Sequence, residues 1–380
     1  MNLLWNRHTR SLTLQLMQYL PIHRGRVMCV CWGGKQYNCN PRAIVEALSE
    51  RNLIGDKAGH FEVYFAFLQP EKFASELPPG VKTVLLGGYD YFRLLATSQF
   101  IIANTRIGGS LSWPKKKRRG QIYIQTMHGG HGIKKIDHDA DLPDSYMKVA
   151  DEDNSRIDLM VSDSRFRTNV FHTAFHYYGE VLETGLPRNY VFFRENIIRT
   201  DNKRYLVYAP TFRNSGRRDV YGFDVDKVIS ALEKRFGGEW YIRISSHPNM
   251  RDYYKSIYNF SHPRLIDIGG KDLQDYLPIS DALITDYSSA EMDFSLTGRP
   301  IFQLCRDRHD YDRGFYINPE DLPFPYAEND AELVQNILSF DVNEYLKALD
   351  TFNRDIIGLN ETGHASEAVV QWMLKHVDSK

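Results

Sequence analysis

The chain has little of what marks secreted, membrane-spanning or nucleic-acid-binding proteins. Its 380 residues carry a formal net charge of −1 and contain no apolar run of the ~18 residues that a membrane-spanning helix needs. No N-terminal signal peptide is recognisable, so we expect a cytoplasmic protein. Because the net charge is close to zero, we expect anions to bind at local sites and not through the overall charge of the protein. The few cysteines follow no paired metal-ligand spacing and indicate small buried side chains in a reducing compartment. They are Cys29, Cys31, Cys39 and Cys305.

The length and the alternation of patterns predict two α/β domains. A chain of 380 residues exceeds the size at which one hydrophobic core keeps growing. Short apolar runs of strand length alternate with segments of helix length on both sides of a polar stretch at 199–204, which indicates parallel sheets. We predict an N-terminal helix within residues 1–24, a first domain at 25–198 and a second domain at 199–380. The segment 331–376 has a helical pattern, and its return to the first domain is the alternative.

Two basic segments favour contact with an anionic surface. Residues 3–20 have an amphipathic helical pattern that could lie in a membrane interface, although Leu3 and Leu14 fall off the apolar face and favour packing against the first domain instead. The run KKKRR at 115–119 is either a solvated loop or a patch for anionic lipid or polymer, at about 1 kcal/mol per basic residue. It has no interleaved aromatic side chains, so we do not expect nucleic-acid binding.

The stretch TDYSSAEMDFSLTGRP at 285–300 is the strongest local indication of a ligand site. It follows the apolar run ALI at 282–284, which is suited to a buried parallel strand. Ser288 and Ser289 then stand where a helix begins, and unpaired N–H groups at such a terminus bind phosphate oxygens. The alternative is that one of the two serines is an ordinary helix cap.

Other motifs accompany this stretch in a fixed order. They are HGGHGIKK at 128–135, YAPTFR at 208–213, SHP at 246–248, RGFY at 313–316 and, more weakly, GKQYNCNP at 34–41. In this order and at these separations the chain resembles the CDP-glycerol glycerophosphotransferase family, from about residue 26 to residue 337.

The resemblance implies a fold and an activity. The fold would be α/β with two Rossmann-like domains facing a cleft (GT-B-like), the first binding the acceptor and the second binding the CDP-polyol. The reaction would move glycerol phosphate from CDP-glycerol, or ribitol phosphate from CDP-ribitol, to a hydroxyl of a teichoic-acid-like or capsule polymer or a lipid-linked glycan, releasing CMP. No cofactor is implied, and enzymes of this fold normally work without a metal.

Two histidines are the candidate catalytic residues. His128 ends the predicted strand 121–127, and strand ends are where open α/β sheets bind ligands, so we assign it as the base for the attacking hydroxyl. The family pattern usually has tryptophan where this chain has Met127, and His131 is an additional candidate. His247 ends a strand of the second domain and would neutralise charge on the diphosphate or protonate the leaving phosphate. Either histidine could instead be a loop residue bonded to backbone.

The remaining candidates would bind the donor. Arg213 and Arg313 suit bidentate phosphate contact, with surface ion pairing as the alternative. By resemblance, Thr211, Asp286 and Lys134 also line the substrate site.

Three alternatives remain open from the sequence alone. The acidic cluster DHDAD at 137–141 and the Asp224-Val225-Asp226 triplet could bind a divalent ion, but turns and helix caps explain them more simply. A GT-B glycosyltransferase acting on a nucleotide sugar would share the fold and release a nucleoside diphosphate. A non-catalytic nucleotide-binding scaffold would not need both His128 and His247.

Overall fold

The computed structural model describes residues 15–55, 59–113, 117–130, 132–194, 201–211, 213, 218–245, 251–311 and 314–378. These fall into two compact units. The first comprises Met1–His128, Asp137–Tyr190 and Asn360–Lys380, and the second comprises Gly129–Ile136 and Val191–Leu359.

A parallel sheet of seven strands forms the centre of the first unit. The order is β3-β2-β1-β4-β5-β6-β7, so the direction of winding reverses between β1 and β4. All six residues of β4 are buried, and such continuous burial is typical of a strand covered on both faces. The strands are β1 (His23–Val30), β2 (Glu62–Phe67), β3 (Lys82–Leu85), β4 (Ser98–Ala103), β5 (Ile122–Gln125), β6 (Leu159–Ser162) and β7 (Glu180–Glu183).

Helices cover both faces of this sheet. One core joins Ile44 and Leu48 of the first helix to Val369 and Met373 near the C-terminus. A second core on the other face includes Phe92 from the third helix. The helices are α1 (Cys39–Glu50), α2 (Pro70–Phe73), α3 (Tyr89–Thr97), α4 (Asp144–Asn154), α5 (Arg165–Ala174) and, after the second unit, α11 (Ala365–His376).

The second unit repeats this winding with six parallel strands. Its order is β10-β9-β8-β11-β12-β13, so the reversal falls between β8 and β11. The strands are β8 (Arg204–Tyr208), β9 (Trp240–Ile244), β10 (Leu265–Asp267), β11 (Ala282–Thr285), β12 (Ile301–Leu304) and β13 (Tyr326–Ala327). The helices are α6 (Val225–Phe236), α7 (Arg251–Ile257), α8 (Ala290–Ser295), α9 (Asp330–Leu338) and α10 (Val342–Thr351). The predicted α/β class with two parallel sheets is confirmed.

The division into units differs from the predicted domains in two places. Residues 360–380 were predicted in the second domain, with a return to the first domain as the alternative, and they belong to the first unit because α11 buries Val369 and Met373 against α1. Residues 129–136 were predicted in the first domain but belong to the second unit. Hydrophobic periodicity does not show which domain either segment joins, because this depends on contacts between segments that are distant in sequence.

In the sequence, Pro41 suits a first helical turn and Asn40 its cap, which predicts a helix over 41–51, and the observed start of α1 differs. The helix begins at Cys39 with Asn38 at the cap position, so Asn40 lies in the first turn and is not the cap. Of the predicted helix 3–20, residues 3–14 lie outside the described part, and residues 15–17 are helical. Met17 is buried in the core beside Phe92, whereas Leu16 and Tyr19 are exposed. In the part of the chain that the structure describes, no helix combines the length and apolar character needed to cross a membrane.

Candidate active site

The described candidate residues gather at the two points where the winding reverses. In an open α/β sheet these points leave a crevice at the carboxyl ends of the strands, where ligands bind. In the first unit, Trp32 follows β1, Asn104 follows β4 and His128 follows β5. In the second unit, Thr211 follows β8 and Asp286 follows β11. The sequence predicted a strand end at His128, and the strand order places β5 next to β4, so that Trp32 and Asn104, which were not candidates, lie at the reversal beside it.

The imidazole of His128 is fixed by two contacts within the first unit. Its Nδ1 lies 3.0 Å from the carbonyl oxygen of Asn104, and its ring lies 4.4 Å from that of Trp32. Because a carbonyl oxygen only accepts, this contact requires a proton on Nδ1. In the neutral ring Nε2 is then the basic nitrogen. Asn104 also holds Trp32, accepting a hydrogen bond from its backbone N–H through Oδ1 at 2.8 Å.

The glycine-rich segment after His128 pairs with the predicted RGFY motif. Lys134 forms an antiparallel bridge with Phe315. The N–H of Lys135 donates to the Gly314 carbonyl at 2.9 Å, and the N–H of Tyr316 donates to the Ile133 carbonyl at 2.7 Å. Two motifs separated by about half of the chain therefore form one piece of backbone structure in the second unit.

This paired segment lies beside the paired serines. A Cβ at Gly132 would lie 3.9 Å from the Cβ of Ser289. The sequence predicted that both motifs bind substrate, and the structure brings them together.

The two serines have different environments. The Oγ of Ser288 accepts a hydrogen bond from the N–H of Ala290 at 3.3 Å, which is a capping interaction. Ser289 occupies the cap position of α8 without a capping bond from its side chain. The helix has only six residues, so its dipole adds less than the sequence suggested. Ser289 is therefore the better candidate for a ligand contact.

Asp286 ties two strand ends together. Its Oδ1 accepts hydrogen bonds from the N–H groups of Thr211 at 2.7 Å and Tyr287 at 2.6 Å. Its Oδ2 lies 2.9 Å from Nη2 of Arg213. Because both carboxylate oxygens are engaged, Asp286 organises the walls of the site.

Arg213 is already paired with carboxylates. Its Nε and Nη2 donate to Asp307 at 2.6 and 2.9 Å, and its Nη1 donates to the Thr211 carbonyl at 2.7 Å. Burial disfavours the charge, but Asp286 and Asp307 outweigh it and raise the pKa of Arg213. A direct phosphate contact would require one of these ion pairs to open. Asp307 was not predicted, since nothing in the local sequence separates it from the neighbouring charged residues.

A fully buried carboxyl group lies under the serine loop. Glu291 follows Ser289 by two residues, and its Oε2 accepts from Nε2 of Gln303 at 3.1 Å. Within the described residues, Oε1 of Glu291 and Oε1 of Gln303 are both buried without a hydrogen-bond partner. Desolvation raises the pKa of Glu291 well above its usual value, against the opposing effects of Gln303 and Lys134.

The acidic segments considered for metal binding have other roles. Asp137 pairs with the guanidinium of Arg106, and His138 contacts Asp151 at 2.6 Å. Asp224 caps α6 by accepting from the N–H of Lys227. Among the described residues no group of three or more His, Cys, Asp or Glu side chains is placed to hold a metal. The predicted site residues His247 and Arg313, and the alternative base His131, lie outside the described residues.

The comparison with known proteins covers almost the whole chain. The profile of the CDP-glycerol:poly(glycerophosphate) glycerophosphotransferase family matches residues 12–375. The teichoic acid glycerol-phosphate transferase of Staphylococcus aureus (strain NCTC 8325 / PS 47) is 28% identical, with 97% of each chain covered. The teichoic acid poly(glycerol phosphate) polymerase of Bacillus subtilis (strain 168) is 26% identical over 94% of this chain, which spans 49% of the polymerase.

A solved structure shows the same fold. The wall teichoic acid polymerase TagF aligns with a TM-score of 0.80 at 24% identity, covering 97% of this chain and 94% of that one. The family match and the shared fold agree with the order of motifs in the sequence. The chain belongs to the CDP-glycerol:poly(glycerophosphate) glycerophosphotransferase family.

Proposed function

We propose that the chain transfers glycerol phosphate from CDP-glycerol to a terminal hydroxyl of a teichoic-acid-type polymer and releases CMP. The acceptor oxygen attacks the β-phosphorus, the bond from that phosphorus to the oxygen of CMP breaks, and the hydroxyl proton passes to a base. Glycerol is preferred to ribitol because the relative that matches over 97% of both chains is a glycerol-phosphate transferase.

The observation that carries this proposal is the orientation of His128. With Nδ1 donating to the Asn104 carbonyl at 3.0 Å, Nε2 of the neutral ring carries the lone pair and is the atom that would take the acceptor proton. A general base of this kind contributes about 10²- to 10⁴-fold to the rate. Phosphoryl transfer otherwise depends on positioning and on stabilising the charge of the phosphates.

The second unit offers groups suited to the donor. Ser289 has no capping bond, and the paired segment that carries Lys134 lies next to it. Hydrogen bonds to a charged phosphate are worth about 1.5–3 kcal/mol each. His247, Arg313 and Thr211 remain predicted donor ligands, and we propose that the side chains of His247 and Arg313 and the hydroxyl of Thr211 act without a metal or cofactor.

The decisive experiment is a product assay with matched donors. The protein is incubated with CDP-glycerol, CDP-ribitol or a UDP-sugar in the presence of a glycerol-phosphate oligomer. We expect CMP release and oligomer growth with CDP-glycerol, and slower release with CDP-ribitol. Release of UDP from the sugar donor would support the glycosyltransferase alternative. If none of the three donors were turned over, a non-catalytic role would be favoured.

We also propose that the enzyme works at the inner face of the plasma membrane, through a surface of the first unit. Leu16 and Tyr19 are 60% and 84% exposed. Nη1 of Arg118 donates to the Leu20 carbonyl at 2.6 Å, so the apolar and basic residues are adjacent. Apolar side chains with flanking cations suit an anionic membrane surface.

Sedimentation with lipid vesicles tests this surface. We expect the protein to sediment with phosphatidylglycerol vesicles more than with phosphatidylcholine vesicles, and the Leu16→Ser/Tyr19→Ser variant to lose the difference. Leu346→Ser, which changes an exposed leucine of the second unit, is the control. Equal sedimentation of the double variant and the control would contradict the proposed membrane contact.

A further inference from the structure

The backbone around His128 is held in an unusual conformation. Among the described residues, six that are not glycine have a positive φ, and Trp32, Cys39 and Met127 are three of them. Met127 directly precedes His128 with a φ of 52°, and the Trp32 ring contacts the imidazole. Such conformations cost about 1–3 kcal/mol each and persist only where surrounding bonds hold them.

A buried side chain supplies those bonds. Asn40 follows Cys39 and is 0% exposed. Its Nδ2 donates to the carbonyl of Met127 at 3.0 Å and lies 3.3 Å from the carbonyl of Thr126. Its Oδ1 accepts from the N–H of Arg188 at 3.0 Å, which fixes the orientation of the amide. The side chain of Asn40 thus connects three segments and hydrogen-bonds the carbonyls of the two residues that precede His128.

We propose that Asn40 is a positioning residue for the base, acting through the strained Met127 peptide to keep His128 on the Asn104 carbonyl. The inference rests on the proposed role of His128. An alanine at position 40 would remove the amide donor from both carbonyls, leaving the Met127 carbonyl with the Thr126 hydroxyl, and would allow the Met127 peptide to relax toward a common conformation. His128 would then move, and a misplacement of about 1 Å can lower a rate by about 10²-fold.

The test is a double-mutant cycle read as turnover. Asn40→Ala, His128→Ala and the double variant are assayed for CMP release from CDP-glycerol, and donor binding is measured by calorimetry. We expect Asn40→Ala to lower kcat by about 10²-fold with little change in donor affinity. In the His128→Ala background the same change should alter kcat by less than about 2-fold, because residues that act as a unit are non-additive.

Asn189→Ala is the matched control. Asn189 is also buried in the first unit, but its Nδ2 donates to Glu361 at 3.0 Å, and within the described residues its side chain has no hydrogen bond to Thr126, Met127 or His128. We expect this variant to lose stability and to show the same small effect on kcat with and without His128. Should Asn40→Ala fail to fold, Thr126→Val takes its place in the double-mutant cycle with His128→Ala. This change removes the hydrogen bond from the Thr126 hydroxyl to the Met127 carbonyl at 3.1 Å.

The outcomes separate the two proposals. Full activity in His128→Ala would overturn the assignment of the base and with it the role of Asn40. An inactive His128→Ala combined with an additive effect of Asn40→Ala would leave the base in place and overturn the inference alone. Equal loss of kcat in Asn40→Ala and Asn189→Ala would reduce Asn40 to a general stability residue.

Discussion

Arg213 and Asp307 form a buried, bidentate ion pair that joins the loops after β8 and β12. The two contacts are 2.6 and 2.9 Å long, and both side chains are about 4% exposed. Burial disfavours the charge of Asp307, yet the hydrogen bond from Arg213 lowers its pKa below the usual value. The pair, with Asp286 as a third member, fixes the strand ends that carry the proposed donor site.

Arg213→Met should therefore act mainly on stability. Removing the guanidinium leaves Asp286 and Asp307 buried without a counter-charge, at a cost of about 3–5 kcal/mol. Arg308→Met is the control, because Arg308 pairs with Glu320 at the surface and such pairs are worth about 0–1 kcal/mol. Urea unfolding measures both variants. If Arg213→Met unfolded like the control but lost CDP-glycerol binding, the guanidinium would be a direct phosphate ligand.

His128→Ala should lower turnover by about 10²- to 10⁴-fold with donor affinity nearly unchanged, because the residue acts on the acceptor. His172→Ala, which changes a histidine stacked on Tyr178 in the same unit, should be neutral. His131→Ala should be milder than His128→Ala, and His247→Ala should reduce both turnover and donor binding. Steady-state CMP release with calorimetry checks all four variants. An active His128→Ala beside an inactive His131→Ala would move the base three residues along the chain.

Ser288→Ala and Ser289→Ala should separate stability from binding. Ser288 caps the start of α8, so its loss should lower the free energy of unfolding by about 1 kcal/mol. Ser289 makes no capping bond, so its loss should leave unfolding unchanged and weaken CDP-glycerol binding by about 1.5–3 kcal/mol. Thermal melts and calorimetry of the single variants decide this. Normal CMP binding in Ser289→Ala would remove that serine from the donor site.

Glu291→Gln should stabilise the protein at neutral pH. Burial raises the pKa of Glu291 in the folded state above its unfolded value near 4.5. Between these two values the carboxyl group is protonated in the folded protein and ionised in the unfolded chain. Stability is therefore complete below the lower value and falls by about 1.4 kcal/mol per pH unit as the pH rises toward the upper one. A glutamine cannot ionise, and its amide can bond both Gln303 groups.

Urea unfolding at pH 5 and pH 7 measures this difference. We expect Glu291→Gln and the wild type to be similar at pH 5, and the variant to be more stable at pH 7. Glu344→Gln, at an exposed glutamate, should show no such trend. A variant that is less stable than the wild type at pH 7 would mean that Glu291 is ionised and stabilised by Lys134.

Much of the architecture was readable from the sequence, because it depends on local pattern. The buried strand β11 was predicted at Ala282–Thr285 and is observed there. The short apolar run before two serines is typical of a buried parallel strand that ends at the start of a helix. The sequence pattern likewise predicts a helix over 225–236, and α6 is observed over these bounds with Asp224 as its cap. The family was predicted from motif order and is confirmed by the profile match.

Side-chain partners could not be read in the same way. Arg213 reads as a phosphate ligand in its motif, and only the approach of Asp307, 94 residues later, shows that its guanidinium is engaged. The local sequence predicts Asn40 to be a helix cap, whereas its side-chain amide donates a hydrogen bond to the carbonyl of Met127, 87 residues away. The sequence determined the strands, the helices and the order of the motifs, because hydrophobic periodicity and chain order are local properties. The tertiary structure decided which charges are neutralised and which backbone is held under strain, because both depend on contacts between distant segments.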